Sequence, residues 1–208
     1  MITRVFLFAA ASLAATSALA QDVKSSQVKT GFYVYGAWGV SMASSDQSLA
    51  QSQGNAAVGP GAAVSTNDQR YTGKAYLGYR FNKYLGIEGG YADVAQIENS
   101  ATGPGGTFTS RSQLRGANIA AVLWLPMTPQ LSLYGKVGGA AIRSKYTPST
   151  GAVVESTDIQ TFFGGGLQYE FSDRFFGRAD YERYSQYGNF ATGDISANVY
   201  SLGVGYKF

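Results

Sequence analysis

Nine charged residues have the types and the spacing for side-chain chemistry: Lys74, Arg80, Glu88, Lys136, Glu170, Arg178, Asp180, Glu182 and Lys207. The Arg80/Glu88 spacing returns as Glu170/Arg178 with the signs exchanged. The two pairs sit in segments that align, Gly78-Tyr-Arg-Phe-Asn-Lys-Tyr-Leu-Gly-Ile-Glu-Gly-Gly-Tyr91 and Gln168-Tyr-Glu-Phe-Ser-Asp-Arg-Phe-Phe-Gly-Arg-Ala-Asp-Tyr181. We read the similarity as turn chemistry shared by two hairpins. Each hairpin then holds one cation and one anion near its turn. Five cations against four anions is nearly balanced, and the chemistry open to such a set is mutual ion pairing. A lining of one sign would instead suit an ion-selective pore.

Other chemistries are missing their residue types. The 208 residues contain no His and no Cys. That excludes Ser-His-Asp and Cys-His hydrolases, His-ligated zinc sites, thiolate metal sites and disulfides. There is no Gly-x-Ser-x-Gly. Asp93, Glu98 and Asp173 read as solvated strand ends and turns rather than calcium ligands. No catalytic residue, metal or cofactor is expected. The net charge is +3 and the pI near 9.0, but Lys and Arg are scattered without a basic cluster, so nucleic acid is not an expected partner.

The elements that must position the nine charges follow from alternation. Phe32, Val34, Gly36, Trp38 and Val40 share one parity. So do Tyr71, Gly73, Ala75, Leu77, Tyr79 and Phe81, and then Leu85, Ile87, Gly89 and Tyr91. The pattern continues through residues 117–125, 131–139, 159–171, 175–181 and 200–208. Period two argues strands, and there are eight. Their connections alternate. Residues 82–84, 126–130 and 172–174 make short turns, and residues 42–69, 94–112, 145–157 and 185–195 make long loops. The longest apolar run, residues 119–125, is far too short for a spanning helix, and the mean hydropathy is −0.09.

An even set of tilted strands with short turns at one end and long loops at the other describes an all-β, eight-stranded antiparallel up-and-down transmembrane barrel in an outer membrane. Phe81, Phe171, Phe175 and Phe208 suit one aromatic girdle, and Trp38, Tyr91 and Tyr181 the other. All nine charges fall on the opposite, inward parity. The interior of so narrow a barrel is filled by side chains, so these charges must pair with each other or with trapped water. Upstream, the basic start at Arg4, an apolar stretch over residues 5–15 and Ala18-Leu19-Ala20 read as a cleavable signal peptide. The expected organisation is residues 1–20 leader, 21–30 a short segment and 31–208 barrel.

Four segments resemble the OmpA-like transmembrane barrel family. They are Lys83-Tyr-Leu-Gly-Ile-Glu-Gly-Gly-Tyr91, Leu133-Tyr-Gly-Lys-Val-Gly-Gly139, Gly164-Gly-Gly-Leu-Gln-Tyr169 with Arg178-Ala-Asp-Tyr181, and Ser201-Leu-Gly-Val-Gly-Tyr-Lys-Phe208. The resemblance implies that the last segment, with Tyr206 and the terminal Phe208, is a signal read by the barrel-assembly machinery. It also implies an interior gate of exchanging ion pairs. Glu88 and Arg178 match that gate's Glu and Arg. Its Lys and second Glu fall on Val122 and Gln168, and Lys136 and Glu170 stand nearby as substitutes. The family's periplasmic peptidoglycan-binding domain is not expected, since the chain stops at Phe208.

Two functions compete. One is a structural or surface-interaction barrel that supports membrane integrity or adhesion, with loops 42–69 and 94–112 meeting an extracellular ligand. The alternative is a small porin or narrow channel gated by the interior pairs. Arg70, Arg111, Arg115, Arg143, Lys145 and Arg183 lie near the outer strand ends, where outer-membrane lipids, including lipopolysaccharide, offer phosphates. Gly36-Ala-Trp38 mimics the lipocalin Gly-x-Trp triplet, but a lipocalin keeps an apolar interior and this chain puts charges there.

Overall fold

The computed structural model describes residues 30–44, 47–67, 69–149, 152–187 and 195–208. The expected leader, residues 1–20, and all but Thr30 of the segment 21–30 lie outside the described residues.

Where apolar and polar residues alternate, the backbone extends and pairs. The strands are β1 (Gly31–Ser44), β2 (Ala63–Asn67), β3 (Gln69–Arg80), β4 (Leu85–Gly103), β5 (Gly106–Pro126), β6 (Leu131–Pro148), β7 (Val154–Glu170), β8 (Phe175–Tyr187) and β9 (Ile195–Lys207), with one helix, α1 (Gln47–Val58). All neighbours are antiparallel. The ring runs β4, β3, β1, β9, β8, β7, β6, β5, and β5 closes back on β4. The first and last strands seal the wall, with Val34 opposite Tyr206 and Ser44 opposite Ser196. Closure leaves no open edge in lipid.

Nine strand segments fill eight places in the ring. β3 pairs with β4 from Lys74–Ala92 to Arg80–Gly86, and β2 takes over the same side of β4 from Asn67–Glu98 to Ala63–Thr102. A bulge in β4 between Asp93 and Ala95 shifts the register by one residue and keeps the far half of the strand facing the same way. The Thr72 hydroxyl donates to the Asp93 carbonyl at this bulge.

The three short turns share one chemistry. Asn82 Oδ1 accepts from the N–H groups of Tyr84 and Leu85 at 2.8 and 2.9 Å. Thr128 Oγ1 does the same for Gln130 and Leu131, and Ser172 Oγ for Arg174 and Phe175. A small oxygen-bearing side chain at the same place in each turn satisfies amides that the ladder cannot reach.

The long connections differ from the expectation. Residues 94–112 are not a loop but the far halves of β4 and β5, paired out to Gly103–Gly106 around a tight turn in which Gly106 takes φ 115°. Strands β6 and β7 likewise run on to Pro148 and back from Val154, and β8 and β9 extend into the region read as residues 185–195. The sequence there is rich in Ser, Thr, Asn and Gly, so its alternation lacks apolar contrast. Small polar residues such as Ser110 and Ser112 take buried inward places there. Residues 42–69, read as a display loop, hold α1 and β2. The end of helix α1 and the turn after it pack on the inner face of the far sheet, Val58 and Ala62 lying against Ala101, Val64 and Phe108. A Cβ on Gly54 would come within 2.9 Å of Ala101 Cβ, so glycine lets the helix lie against the sheet. Tyr146 of β6 donates to Gln53 Oε1 at 3.2 Å, tying the helix to the next strand of the ring as well.

The outer wall is apolar. Trp38, Tyr71, Leu77, Tyr91, Ile119, Leu123, Val137, Phe163, Leu202 and Val204 all face outward, with Trp38 70% exposed. Phe81, Phe171, Phe175 and Phe208 cluster at the short-turn end. Tyr181 is half-buried and donates to Asn198 Oδ1 at 2.9 Å.

Candidate functional site

The site lies inside the barrel's short-turn half and is built from inward positions of every long strand. Alternation sends Tyr33 and Tyr35 (β1), Lys74, Tyr76 and Arg80 (β3), Glu88 (β4) and Trp124 (β5) inward. Tyr134 and Lys136 (β6), Gln168 (β7) and Phe176, Arg178, Asp180 and Glu182 (β8) join them. Glu88 and Glu182 are fully buried. Burying a charge is costly unless it is paired and its remaining lone pairs are hydrogen-bonded. Both carboxylates are ion-paired here.

Arg178 Nη1 donates to Glu88 Oε1, and the Tyr33 hydroxyl donates to the same oxygen at 2.6 Å. Glu88 Oε2 lies 3.7 Å from Lys136 Nζ. Lys136 makes its closer ion pair with Glu182. Lys74 Nζ sits 2.8 Å from both Glu182 Oε1 and Asp180 Oδ2. Tyr184 donates to Glu182 Oε2 at 3.0 Å, and Tyr35 and Tyr134 both donate to Asp180. Near the inner mouth Lys207 Nζ meets Glu170 Oε2 at 2.5 Å. Arg80 is the exception. It donates to the backbone carbonyls of Asn82 and Lys83 and lies 4.4 Å over the Trp124 ring.

All nine expected residues therefore point inward, and eight of them join ion pairs. The pairs do not form within hairpins. Arg80 does not meet Glu88, which pairs instead with Arg178 from the opposite side of the ring. Position 122, where the resemblance placed a lysine, is a buried valine among aromatic rings. Its direct cross-strand partner is Lys136, so the amino group comes from one strand over. Gln168, where the second Glu was placed, accepts from Arg178 Nε at 2.8 Å and Trp124 Nε1 at 3.0 Å and donates to Glu170 at 2.7 Å.

The residues missed were the inward tyrosines. Tyr33, Tyr35, Tyr76 and Tyr134 share the parity of the charges, and that was the available signal. Their hydroxyls donate to three carboxylates, Glu88, Asp180 and Glu182, while their rings fill the lumen. Gly78 and Gly205 leave room for this, since a Cβ at either would strike the Tyr33 or Phe176 ring.

Above the polar network, toward the far end, lies an apolar layer of Val94, Ile97, Leu114, Ile142, Phe162 and Val199, with Phe162 and Tyr184 stacked at 5.1 Å. At the far rim the cations are mostly matched by acids. Arg111 pairs with Glu98 at 2.9 Å, and Glu155 is held by Arg143 and lies 3.7 Å from Lys145. The Arg143 hydrogen bond holds the Glu155 carboxyl below the usual carboxylate range. Arg115 and Arg143 are direct cross-strand neighbours, with Asp93 beside Arg115. Among the described residues no group of His, Cys, Asp and Glu could hold a metal ion.

Residues 6–208 match the model of the outer membrane protein beta-barrel domain. The chain is 31% identical over 149 residues to outer membrane protein A of Klebsiella pneumoniae, which covers 68% of this chain and 42% of that one. It spans about two fifths of the length of the curated relatives it matches. Among solved structures it is similar to Neisserial surface protein A, with a TM-score of 0.58 at 17% identity, covering 86% of this chain and 97% of that one. It is also similar to Ail of Yersinia pestis in complex with the heparin analogue sucrose octasulfate, with a TM-score of 0.51 at 18% identity, covering 86% and 99%.

Proposed function

The chain belongs to the outer membrane protein beta-barrel domain family and resides in the cell outer membrane, and from that premise we propose that it is a closed barrel whose work is done at its outer face. Its role is structural and interactive: it stabilises the membrane and presents a rigid platform to an extracellular partner. It is not an enzyme. One observation carries the reading. The far halves of β4, β5, β6 and β7 stay paired beyond the apolar wall, with α1 braced against their inner face. A merely connecting loop does not need such a platform.

A sulfated polysaccharide of the kind seen with Ail is not the favoured partner. Arg111, Arg143 and Lys145 already face Glu98 and Glu155, which leaves little free positive charge. Arg115, near the outer strand ends, suits a lipid phosphate at the membrane surface. Phe208 suits recognition by the assembly machinery.

The alternative, a narrow channel, draws on Glu88. That carboxylate lies between Arg178 and Lys136, so exchange of partners is conceivable. Exchange would leave the apolar layer above it in place.

The test is a barrel with the β4–β5 hairpin shortened by removing residues 98–111, displayed on cells. Retained heat-modifiable gel mobility with lost adhesion to host-matrix surfaces supports the proposal. Adhesion equal to that of the full chain overturns it.

A further inference from the structure

The nine inward charges pair off with one left over. Arg178 goes with Glu88, Lys136 with Glu182, Lys74 with Asp180 and Lys207 with Glu170. Arg80 remains. It is 3% exposed, and among the described residues no carboxylate lies within ion-pair distance of it. Two backbone carbonyls and the Trp124 face engage part of the guanidinium, and the Glu170 carboxylate acts on it only from beyond ion-pair distance while in contact with Lys207. A buried cation without a counter-charge in direct contact is costly.

Arg80 also lines a recess at the inner mouth, together with Trp124, Gln168, Phe176, Arg178 and Lys207. Three of those six side chains are cationic; Arg178 and Lys207 have Glu88 and Glu170 as partners, and the chain-terminal Phe208 also lines the recess, so Arg80 is the cation there without an ion pair of its own. The enclosed part of the recess measures about 10 Å³, on the scale of one small particle. We propose that this recess binds a small monovalent anion, of the halide class, against the Arg80 guanidinium. The anion completes the charge balance of the plug and makes barrel stability depend on the anion in the medium. The inference is independent of what the outer face binds.

Trp124 supplies the probe. The chain has two tryptophans, and Trp38 faces lipid, so Trp38→Phe leaves Trp124 as the sole indole. Iodide is both a halide and a fluorescence quencher. In the refolded Trp38→Phe barrel in neutral detergent, at constant ionic strength, iodide quenching of Trp124 should saturate. Chloride should displace it and gluconate should not. Acrylamide and caesium should quench weakly and without saturation. Adding Arg80→Gln should abolish the saturable part. Iodide quenching that rises linearly, or that chloride and gluconate affect equally, overturns the proposal even if the Arg80 variant fails to fold. Saturation that survives in a folded Arg80→Gln barrel overturns it as well.

Discussion

Arg178 on β8 reaches across the lumen to Glu88 on β4, ninety residues earlier in the chain, and both side chains are buried. This pair joins walls that share no backbone hydrogen bonds. Removing one partner leaves the other charge buried, and the usual penalty is about 3–5 kcal/mol. Arg178→Ala should therefore lower the urea midpoint of the refolded barrel by an amount in that range. The double variant Arg178→Met with Glu88→Leu should recover most of the loss. An unchanged midpoint in Arg178→Ala would contradict the pairing's structural role.

Gly78 lies under the Tyr33 ring. Gly78→Ala should push Tyr33 off Glu88 and cost about 1–3 kcal/mol by overpacking. Gly73 faces outward with nothing near its Cβ position, so Gly73→Ala serves as the control. Equal urea midpoints for the two variants would refute the close packing.

Helix α1 is held to the far sheet through Gly54. Gly54→Val should unseat the helix and speed cleavage within residues 47–58 by a non-specific protease. The urea midpoint of the barrel should not move, because the helix touches only the far halves of the strands. A fall in that midpoint would show that α1 is part of the barrel's own core.

Glu155 stands clear of the membrane wall, and its carboxyl is held below the usual range by Arg143. A carboxylate with a lowered folded value contributes stability that is fully present above the unfolded value. That stability is lost as pH falls through the folded one. The β6–β7 hairpin should thus loosen only in acid. A carboxyl-carbon NMR titration should find the Glu155 midpoint higher in Arg143→Gln than in the parent. Equal midpoints would contradict the contact.

The barrel and the direction of its charges were legible because apolar and polar residues alternate clearly in the wall. Glu88 and Arg178 could be singled out through the resemblance, but their partners could not all be named. Register decides that Lys136 lies opposite Val122, and register is set by pairing across strands, not by local sequence. Tyr33 and Tyr134 share the inward parity, but nothing local in the sequence shows that their hydroxyls reach Glu88 and Asp180. The far halves of β4 and β5 were read as a loop because small polar residues such as Ser110 and Ser112 hold buried inward places there and give no apolar period. Asn99, Ser100, Thr107 and Thr109 give no such signal, and pairing alone reveals them.

The central claim is that a polar network and an apolar layer, stacked along the lumen, close this barrel. Single-channel recording of the refolded protein in a planar bilayer tests it most directly, with insertion verified independently. A silent bilayer is predicted, both for the parent and for Glu88→Ala, since the layer of Ile97, Leu114, Ile142 and Phe162 remains. Discrete, reproducible openings in the parent that change with Glu88→Ala would contradict the account and make the barrel a gated channel.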